Sequence, residues 1–206
     1  GEVIFSTLLL GFMPTVFFQE PEETELEAAQ RKVAELEAEL GLEHVDLVGP
    51  LETVATIHYG QAQYGKAEDV SRRVLAIEEK SLGLEHPYVA NSLGYLAHLL
   101  QIQGSYAEAR PLYERSLAIR EKSLGPEHPH VALSLNNFAG LLKIQGSYAE
   151  ARPLYEQSLR STLHHLSLNM GSMTETERFQ YLATKTGPEL LLLNLVAMRG
   201  EGPKED

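Results

Sequence analysis

Apolar residues in the middle of the chain recur at steps of three and four positions. One such series consists of Val131, Leu135, Phe138 and Leu142. This spacing collects the side chains on one face of an α-helix, whereas a strand would place apolar residues at every second position. A second series, after a Gly-Ser pair, consists of Ala151, Leu154, Tyr155, Ser158 and Leu159. The pattern predicts two antiparallel helices joined by a short turn.

Residues at the ends of these segments predict where the helices begin. His128-Pro129 starts the first helix, because proline is tolerated in the first turn, where no backbone donor is needed. Gly146 stops this helix, and Ser147 is the predicted N-cap of the next one. Glu150 stands three residues after Ser147, which is the spacing of a capping box.

The helix pair repeats with a period of 42 residues. Residues 102–114 recur without a change at 144–156, and a shorter Leu-Gly-x-Glu-His motif falls at 40–44, 82–86 and 124–128. Alanines recur at two positions of the period, namely Ala55, Ala97 and Ala139, and Ala67, Ala109 and Ala151. Small residues at a recurring contact let two helix axes approach closely. The chain is therefore predicted to form a stack of repeats with a long curved face.

These motifs resemble a known family of repeats. The strings Gly-Ser-Tyr-Ala-Glu-Ala and Leu-Gly-Pro-Glu-His-Pro are similar to the long tetratricopeptide (TPR) repeats of kinesin light chains and of many bacterial proteins. The resemblance covers residues 44–165 as three repeats, 44–85, 86–127 and 128–165. It implies an all-α fold, a right-handed TPR superhelix (α-solenoid) of antiparallel helix pairs with about seven repeat helices.

The first repeat departs from the pattern of the other two. Ala62 replaces Gly104, and Glu52-Thr53 stands where the third repeat has Asn136-Asn137. The assignment of this repeat therefore rests on fewer matching residues than the assignment of the others.

Residues 21–43 are predicted to form an acidic capping helix ahead of the repeats. Projecting the period backwards aligns them with the second helix of a repeat, and the apolar stripe is Leu26, Ala29, Val33, Leu36 and Leu40. Residues 20–43 hold nine Glu, with Arg31 and Lys32 as the basic residues. Either this is the solvated outer face of a cap, or it is a docking strip for a basic partner.

Residues 1–20 form a separate apolar N-terminal segment. Its apolar run is interrupted by Gly11 and Pro14 and is shorter than the ~20 residues of a membrane span. Three interpretations stay open, namely a remnant of a signal-type segment, a piece packed on the first repeat and a membrane anchor. We expect a cytoplasmic protein, or an exported one if this segment is a signal peptide remnant.

Residues 166–206 are predicted to form a C-terminal helical cap and a polar tail. Thr174 and Glu177 have the spacing of a capping box. The string Thr-Glu-Thr-Glu-Arg-Phe-Gln-Tyr-Leu-Ala that begins at Thr174 is similar to the connector between long TPR arrays and caspase-like CHAT protease domains in bacteria. This resemblance implies an alternative function, the sensing or regulatory arm of a CHAT-type protease whose catalytic domain is absent from this chain.

Composition narrows the classes of function. The chain has 206 residues, no cysteine and a formal net charge of −12. Thiol catalysis, disulfides and zinc ribbons are thereby excluded, and a nucleic-acid partner is not expected because it would require a basic stripe. No Gly-rich phosphate loop occurs. We expect no catalytic residues, no cofactor, no metal ion, no small-molecule substrate and no membrane partner.

Three histidines, His44, His86 and His128, recur at the period. Stacked repeats would place them roughly 10 Å apart, whereas the ligands of one metal ion converge to about 2 Å from it. His164 and His165 are neighbours in sequence and would point to different sides of a helix. We expect the three recurring histidines to cap helix starts rather than to bind a metal.

The resemblance also implies where a partner would bind. In TPR arrays the first helices line the concave face, and the matching candidate residues here are Asn91, Tyr95, His98, Gln101, Asn136, Asn137 and Lys143. Asn and Gln each offer a donor and an acceptor to an extended peptide. Because Lys143 is the only basic residue among them, we expect a neutral groove that binds a protein or peptide partner. The alternative is that these positions are merely solvated helix surface.

Overall fold

The structure is a computed structural model that describes residues 23–169 together with Thr174 and Glu177, and these residues form seven α-helices. The helices are α1 (Glu25–Leu40), α2 (Val48–Gly60), α3 (Tyr64–Leu82), α4 (Pro87–Ile102), α5 (Tyr106–Leu124), α6 (Pro129–Ile144) and α7 (Tyr148–Asn169). A short 3-10 helix, Val45–Leu47, leads into α2. Helices that follow each other along the chain pack together, and α4 also contacts α6. The prediction of an all-α helical repeat fold is confirmed.

The core lies between neighbouring helix pairs. All six recurring alanines are buried, as expected for positions where two helices approach closely. Larger side chains fill the space around them, including Leu96, Tyr113 and Phe138. The rings of Tyr113 and Phe138 stack with their centroids 6.3 Å apart, which joins α5 to α6. Each repeat therefore buries its apolar face against the next one.

The recurring histidines cap the helix starts. The Nδ1 atoms of His44, His86 and His128 each accept a hydrogen bond from the backbone N–H two residues later, at 3.3, 3.2 and 3.1 Å. These bonds satisfy donors that the first turn leaves without helical partners. The capping prediction is confirmed. Within the described part of the chain, no three His, Asp or Glu side chains are grouped as metal ligands.

The capping box predicted at Ser147 is wrong. The N–H of Glu150 donates to the backbone carbonyl of Ser147 at 3.1 Å rather than to its hydroxyl. The carboxylate of Glu150 instead accepts a hydrogen bond from Arg110 at 2.7 Å. The corresponding Ser105 has no side-chain cap either, with a backbone ψ of 55° that lies outside the extended region typical of an N-cap.

Ala62 holds an unusual backbone conformation in the turn of the first repeat. Its φ is 57°, close to the 81° of Gly104 and the 77° of Gly146 at the corresponding turns. The left-handed region costs an L-residue with a Cβ about 1–2 kcal/mol. The first repeat thus keeps the turn of the others although it lacks the glycine that suits this turn.

Helix α1 packs on the first repeat with its apolar stripe. Val33 is buried, and Leu26, Ala29 and Leu36 pack against the same core cluster, whereas Leu40 at the end of the helix is exposed. Thr24 and Glu27 form a capping box at its start. Acidic side chains occupy much of the remaining surface of this helix.

Arginine side chains link successive repeats at one edge of the stack. The guanidinium of Arg73 pairs with Glu37 at 2.5 Å and donates to the carbonyl of Leu42 at 2.7 Å. One period later, Arg115 pairs with Glu79 and donates to the carbonyl of Leu84 at 3.0 Å. Planar guanidinium groups hold such paired acceptors in a fixed geometry. The links fix each repeat relative to the one before it.

The capping box at Thr174 and Glu177 is formed. The Thr174 N–H donates to the Glu177 carboxylate at 2.8 Å, and the Glu177 N–H donates to the Thr174 hydroxyl at 3.4 Å. The rest of the predicted C-terminal cap after Asn169 and the apolar segment 1–20 lie outside the described residues. Among the residues described, no helix is both long and apolar enough to cross a membrane.

Candidate functional site

The first helices of the three repeats present one shared surface. The hydroxyl of Tyr95 on α4 donates to the carbonyl of Ala55 on α2 at 3.5 Å, and α4 contacts α6 directly. We call the exposed and half-buried side chains of α2, α4 and α6 on this side the first-helix face. It includes the seven predicted site residues, Asn91, Tyr95, His98, Gln101, Asn136, Asn137 and Lys143, and also Glu52 and Tyr59.

An aromatic cluster forms where the first and second repeats meet. The ring of Tyr59 lies 6.1 Å from the ring of Tyr95 and 6.1 Å from the imidazole of His98. The Tyr59 hydroxyl and His98 Nε2 are hydrogen-bonded at 3.3 Å. Burial lowers the pKa of His98 and raises the pKa of Tyr95. Both shifts favour the neutral side chains, so the cluster is an uncharged aromatic surface at neutral pH.

Arg120 reaches the first-helix face from α5. Its Nη2 donates to Oδ1 of Asn91 at 2.9 Å, and its Nη1 donates to the hydroxyl of Ser134. The guanidinium fits beside Gly94, because a Cβ atom added there would lie 3.8 Å from Nη2. Burial lowers the pKa of Arg120. Within residues 23–169 this arginine forms no ion pair with a carboxylate.

Two of the predicted amides already have their acceptor atoms engaged. The carbonyl oxygen of Asn91 accepts from Arg120, and that of Gln101 accepts from the hydroxyl of Tyr113 at 3.0 Å. Burial raises the pKa of Tyr113 to about 12, so its hydroxyl keeps the proton that it donates. Asn91 and Gln101 therefore offer a ligand mainly their N–H donors.

Asn136 and Asn137 differ from these two amides. Asn136 is half-buried and Asn137 is exposed. Neither side chain forms a hydrogen bond with another described residue, so both side-chain amides keep their donors and their acceptor. Lys143 is exposed at the end of the same helix. The third repeat thus presents two adjacent amides that are available to a ligand.

A carboxylate replaces one of these amides in the first repeat. Glu52 occupies the position of Asn136 in the period, and its pKa is raised because neighbouring atoms partly desolvate it. Glu78, which is only 3% exposed, accepts a hydrogen bond from the Ser92 hydroxyl at 2.6 Å. Burial raises the pKa of Glu78, the Ser92 bond opposes this shift, and the charge of Glu52 adds to it. The charge of Glu52 therefore disfavours the ionised form of Glu78.

We expect Glu78→Gln to raise the urea midpoint at pH 7, because the amide can still accept the Ser92 hydrogen bond without a buried charge. Because the pKa of Glu78 is raised in the folded state, the ionisation of this one group lowers the stability of wild type as pH rises from 4.5 through that pKa. The advantage of the variant should therefore shrink as the pH falls toward 4.5. Urea unfolding at several pH values measures this, and a variant that is less stable than wild type at pH 7 would contradict it.

Three residues at this surface, Glu52, Tyr59 and Arg120, and the buried Glu78 were not among the predicted site residues. Tyr59 is the period partner of Gln101 and Lys143, so the 42-residue spacing could have found it. Glu52 could have been found in the same way from Asn136. Glu78 and Arg120 come from second helices, and the side of the stack that they reach depends on packing rather than on the sequence pattern.

Comparisons with known proteins agree with this geometry. Residues 88–162 match one family model described as a tetratricopeptide repeat, and residues 51–88 match a second model with the same description. The chain therefore belongs to the tetratricopeptide repeat family. No curated protein sequence matches it.

Solved structures share the fold. A protein from Podosopora anserina, described as a kinesin light chain candidate with nearly identical TPR-like repeats, is 23% identical with a TM-score of 0.62, and the match covers 87% of this chain and 88% of that one. A single-substitution variant of that protein gives the same TM-score. BtubC (BKLC) from P. vanneervenii is 19% identical with a TM-score of 0.64, covering 89% of this chain and 78% of its own.

These matches define the class of the protein. TPR arrays are generally protein-interaction modules, because stacked repeats create an extended surface without a single enclosed pocket. The fold is typically a non-catalytic scaffold. Function in such a protein depends on which side chains its surface offers to a partner.

Proposed function

We propose that this chain is a non-catalytic interaction scaffold that binds an extended segment of a partner protein along the first-helix face. The observation that carries the proposal is the pair of adjacent amides, Asn136 and Asn137, with unengaged donors and acceptors. An extended backbone presents N–H and C=O groups that such amides can pair.

The surroundings of this pair support the same proposal. Tyr95 and His98 supply a neutral aromatic surface in the preceding repeat, and Asn91 and Gln101 supply N–H donors. Lys143 supplies an exposed cation at the far end. The surface thus combines apolar contact with a few polar groups that can fix the register of a bound segment.

We expect Asn137→Ala to weaken binding of a partner segment about tenfold or more, because a backbone group left unpaired in a buried contact costs roughly 1–3 kcal/mol. Dodecapeptides selected from a random phage-displayed library on the full chain serve as probes. Their affinities for wild type and variant are compared by fluorescence anisotropy. The melting temperature should not fall, since the Asn137 side chain is exposed and forms no hydrogen bond with a described residue.

Glu114→Ala is the control on the opposite surface. Glu114 is exposed on α5 and pairs with Arg110 at 2.9 Å, an exposed pair of the kind that contributes little to stability. The proposal predicts unchanged peptide affinity for this variant. Should Glu114→Ala lose as much affinity as Asn137→Ala, recognition lies on the second helices and the proposal is wrong.

The alternative of a sensing arm for a CHAT-type protease stays a prediction. The string that carries this resemblance begins at Thr174, and most of it lies outside the described residues. The cytoplasmic or exported location also stays a prediction, because it depends on residues 1–20. Sequencing the gene beyond Asp206 tests the CHAT alternative directly, since a catalytic domain would have to follow.

A further inference from the structure

The first-helix face carries different charges at its two ends. One position of the period is Glu52 in the first repeat, Gly94 in the second and Asn136 in the third. The position seven residues later on the same helices is Tyr59, Gln101 and Lys143 in the same order. The first-repeat end is therefore acidic and aromatic, whereas the third-repeat end is amide-rich and basic.

The carboxylates at the acidic end have no ion-pair partner among the described lysines and arginines. Among residues 23–169, neither Glu52 nor the buried Glu78 forms an ion pair with a lysine or arginine. This differs from the second-helix surface, where Glu68 and Glu108 both pair with Arg72. Glu68 and Glu108 are thus neutralised by Arg72, whereas Glu52 and Glu78 have no such partner.

Aromatic rings share the first-helix face with Glu52. Glu52 and Tyr59 are seven residues apart on α2, so their side chains leave the same face of the helix. The Tyr59 ring lies 5.6 Å from the ring of Tyr64 and 6.1 Å from that of Tyr95. A carboxylate attracts a cation by its charge, and aromatic rings on the same face attract it by their quadrupole.

We propose that the first-repeat end of the first-helix face binds a lysine or arginine side chain of the partner segment, with the cation near Glu52 and the aliphatic stem on Tyr59 and Tyr95. The inference rests on the proposed function and specifies the partner as a segment with a basic residue at one end. Charge complementarity favours this occupant, because a cation would pair with the Glu52 carboxylate, which no lysine or arginine among residues 23–169 neutralises.

The site also orients the segment. Lys143 and Arg120 lie in or near the third repeat, and their charges disfavour a basic side chain at that end. Successive first helices stand roughly 10 Å apart, and an extended chain advances about 3.3 Å per residue. A basic residue held at Glu52 therefore lies about six residues away from the segment residue that pairs with Asn136.

The test uses dodecapeptides selected on the full chain from a random phage-displayed library. We expect the selected peptides to carry a lysine or arginine at a shared position, and Glu52→Gln to weaken their binding about fivefold. Replacing the basic residue of the peptide by norleucine should cause a similar loss. Both changes remove the same interaction. The affinity of the Glu52→Gln protein for the norleucine peptide should therefore be only slightly lower than the affinity measured after either single change.

Glu108→Gln is the matched control, since it is the same substitution on an exposed carboxylate of α5. It should leave peptide affinity unchanged. Circular dichroism melts of both variants establish that each folds. As an independent variant, Asn136→Glu places a carboxylate at the third-repeat end and should raise affinity for peptides whose basic residue is moved to that end.

The outcomes separate the two proposals. In one outcome, Asn137→Ala weakens peptide binding but the selected peptides share no basic residue. In another, Glu52→Gln and the norleucine replacement weaken binding independently, so their effects multiply when they are combined. Either outcome overturns the basic-residue inference and leaves the proposed function standing. Peptides whose affinity is unaffected by both Asn137→Ala and Glu52→Gln overturn the proposed function. A shared basic residue that is energetically coupled to Glu52 supports both.

Discussion

Leu135→Ala is expected to destabilise the protein by about 2–5 kcal/mol, the usual cost of removing a buried leucine side chain and leaving a cavity. Leu135 is 1% exposed in α6 and is one of the largest fully buried side chains among the described residues. A loss of this size is comparable to the total stability of many domains. Urea unfolding at 25 °C should therefore show a lower midpoint or no folded baseline.

Leu133→Ala is the matched control because it is the same substitution two residues away on the same helix. Leu133 is 52% exposed, and substitutions at such exposed positions usually change stability by less than about 0.5 kcal/mol. Equal effects of the two variants would mean that α6 buries a different face from the one described.

Ala109→Leu is expected to destabilise the fold by about 1–3 kcal/mol through overpacking. Ala109 is fully buried on α5 among Leu96, Leu100 and Phe138 in one core cluster. Extra methyl and methylene groups there force helix axes apart, because protein interiors are close-packed. Thermal melts followed by circular dichroism measure the change.

The control for this variant is Ala107→Leu, which makes the same substitution at an exposed position of the same helix. Leucine and alanine have similar helix propensities, so the control should melt within a few degrees of wild type. If Ala107→Leu were the more damaging of the two, the recurring alanines would not be the contacts that set the helix spacing.

Most of the fold could be predicted from the sequence because its determinants are local and repeated. The identity of residues 102–114 and 144–156 required two similar structural units. The alanine series marked the close contacts, and Pro87 and Pro129 stand at the first positions of α4 and α6. A repeat contacts chiefly its neighbours, so little of the architecture depends on distant pairing.

The wrong prediction of a capping box at Ser147 has a physical cause that a sequence pattern does not reveal. Ser147 was expected to cap α7, but a carbonyl in the turn takes the N–H of Glu150 and Arg110 takes its carboxylate. These partners satisfy the same N–H and carboxylate groups that a capping box would satisfy. Sequence spacing indicates which groups can meet, whereas the choice among competing partners is made by the packed structure.

The candidate site was predicted less completely than the fold. The seven residues named from the sequence do lie on the first helices, but Asn91 and Gln101 have acceptors engaged by Arg120 and Tyr113. Both partners come from α5, and the reach of a long side chain across a helix pair depends on gaps such as that at Gly94. The repeat pattern of the first helices therefore does not predict side chains that reach their surface from the second helices.

The most direct test of the central claim is a crystal structure of the full chain with its tightest selected dodecapeptide. The proposal predicts an extended peptide across α2, α4 and α6, with backbone hydrogen bonds to the side-chain amides of Asn136 and Asn137. Its basic residue should lie at Glu52 beside Tyr59. A peptide bound to the outer faces of α3, α5 and α7, with those amides uncovered, would contradict the proposed function.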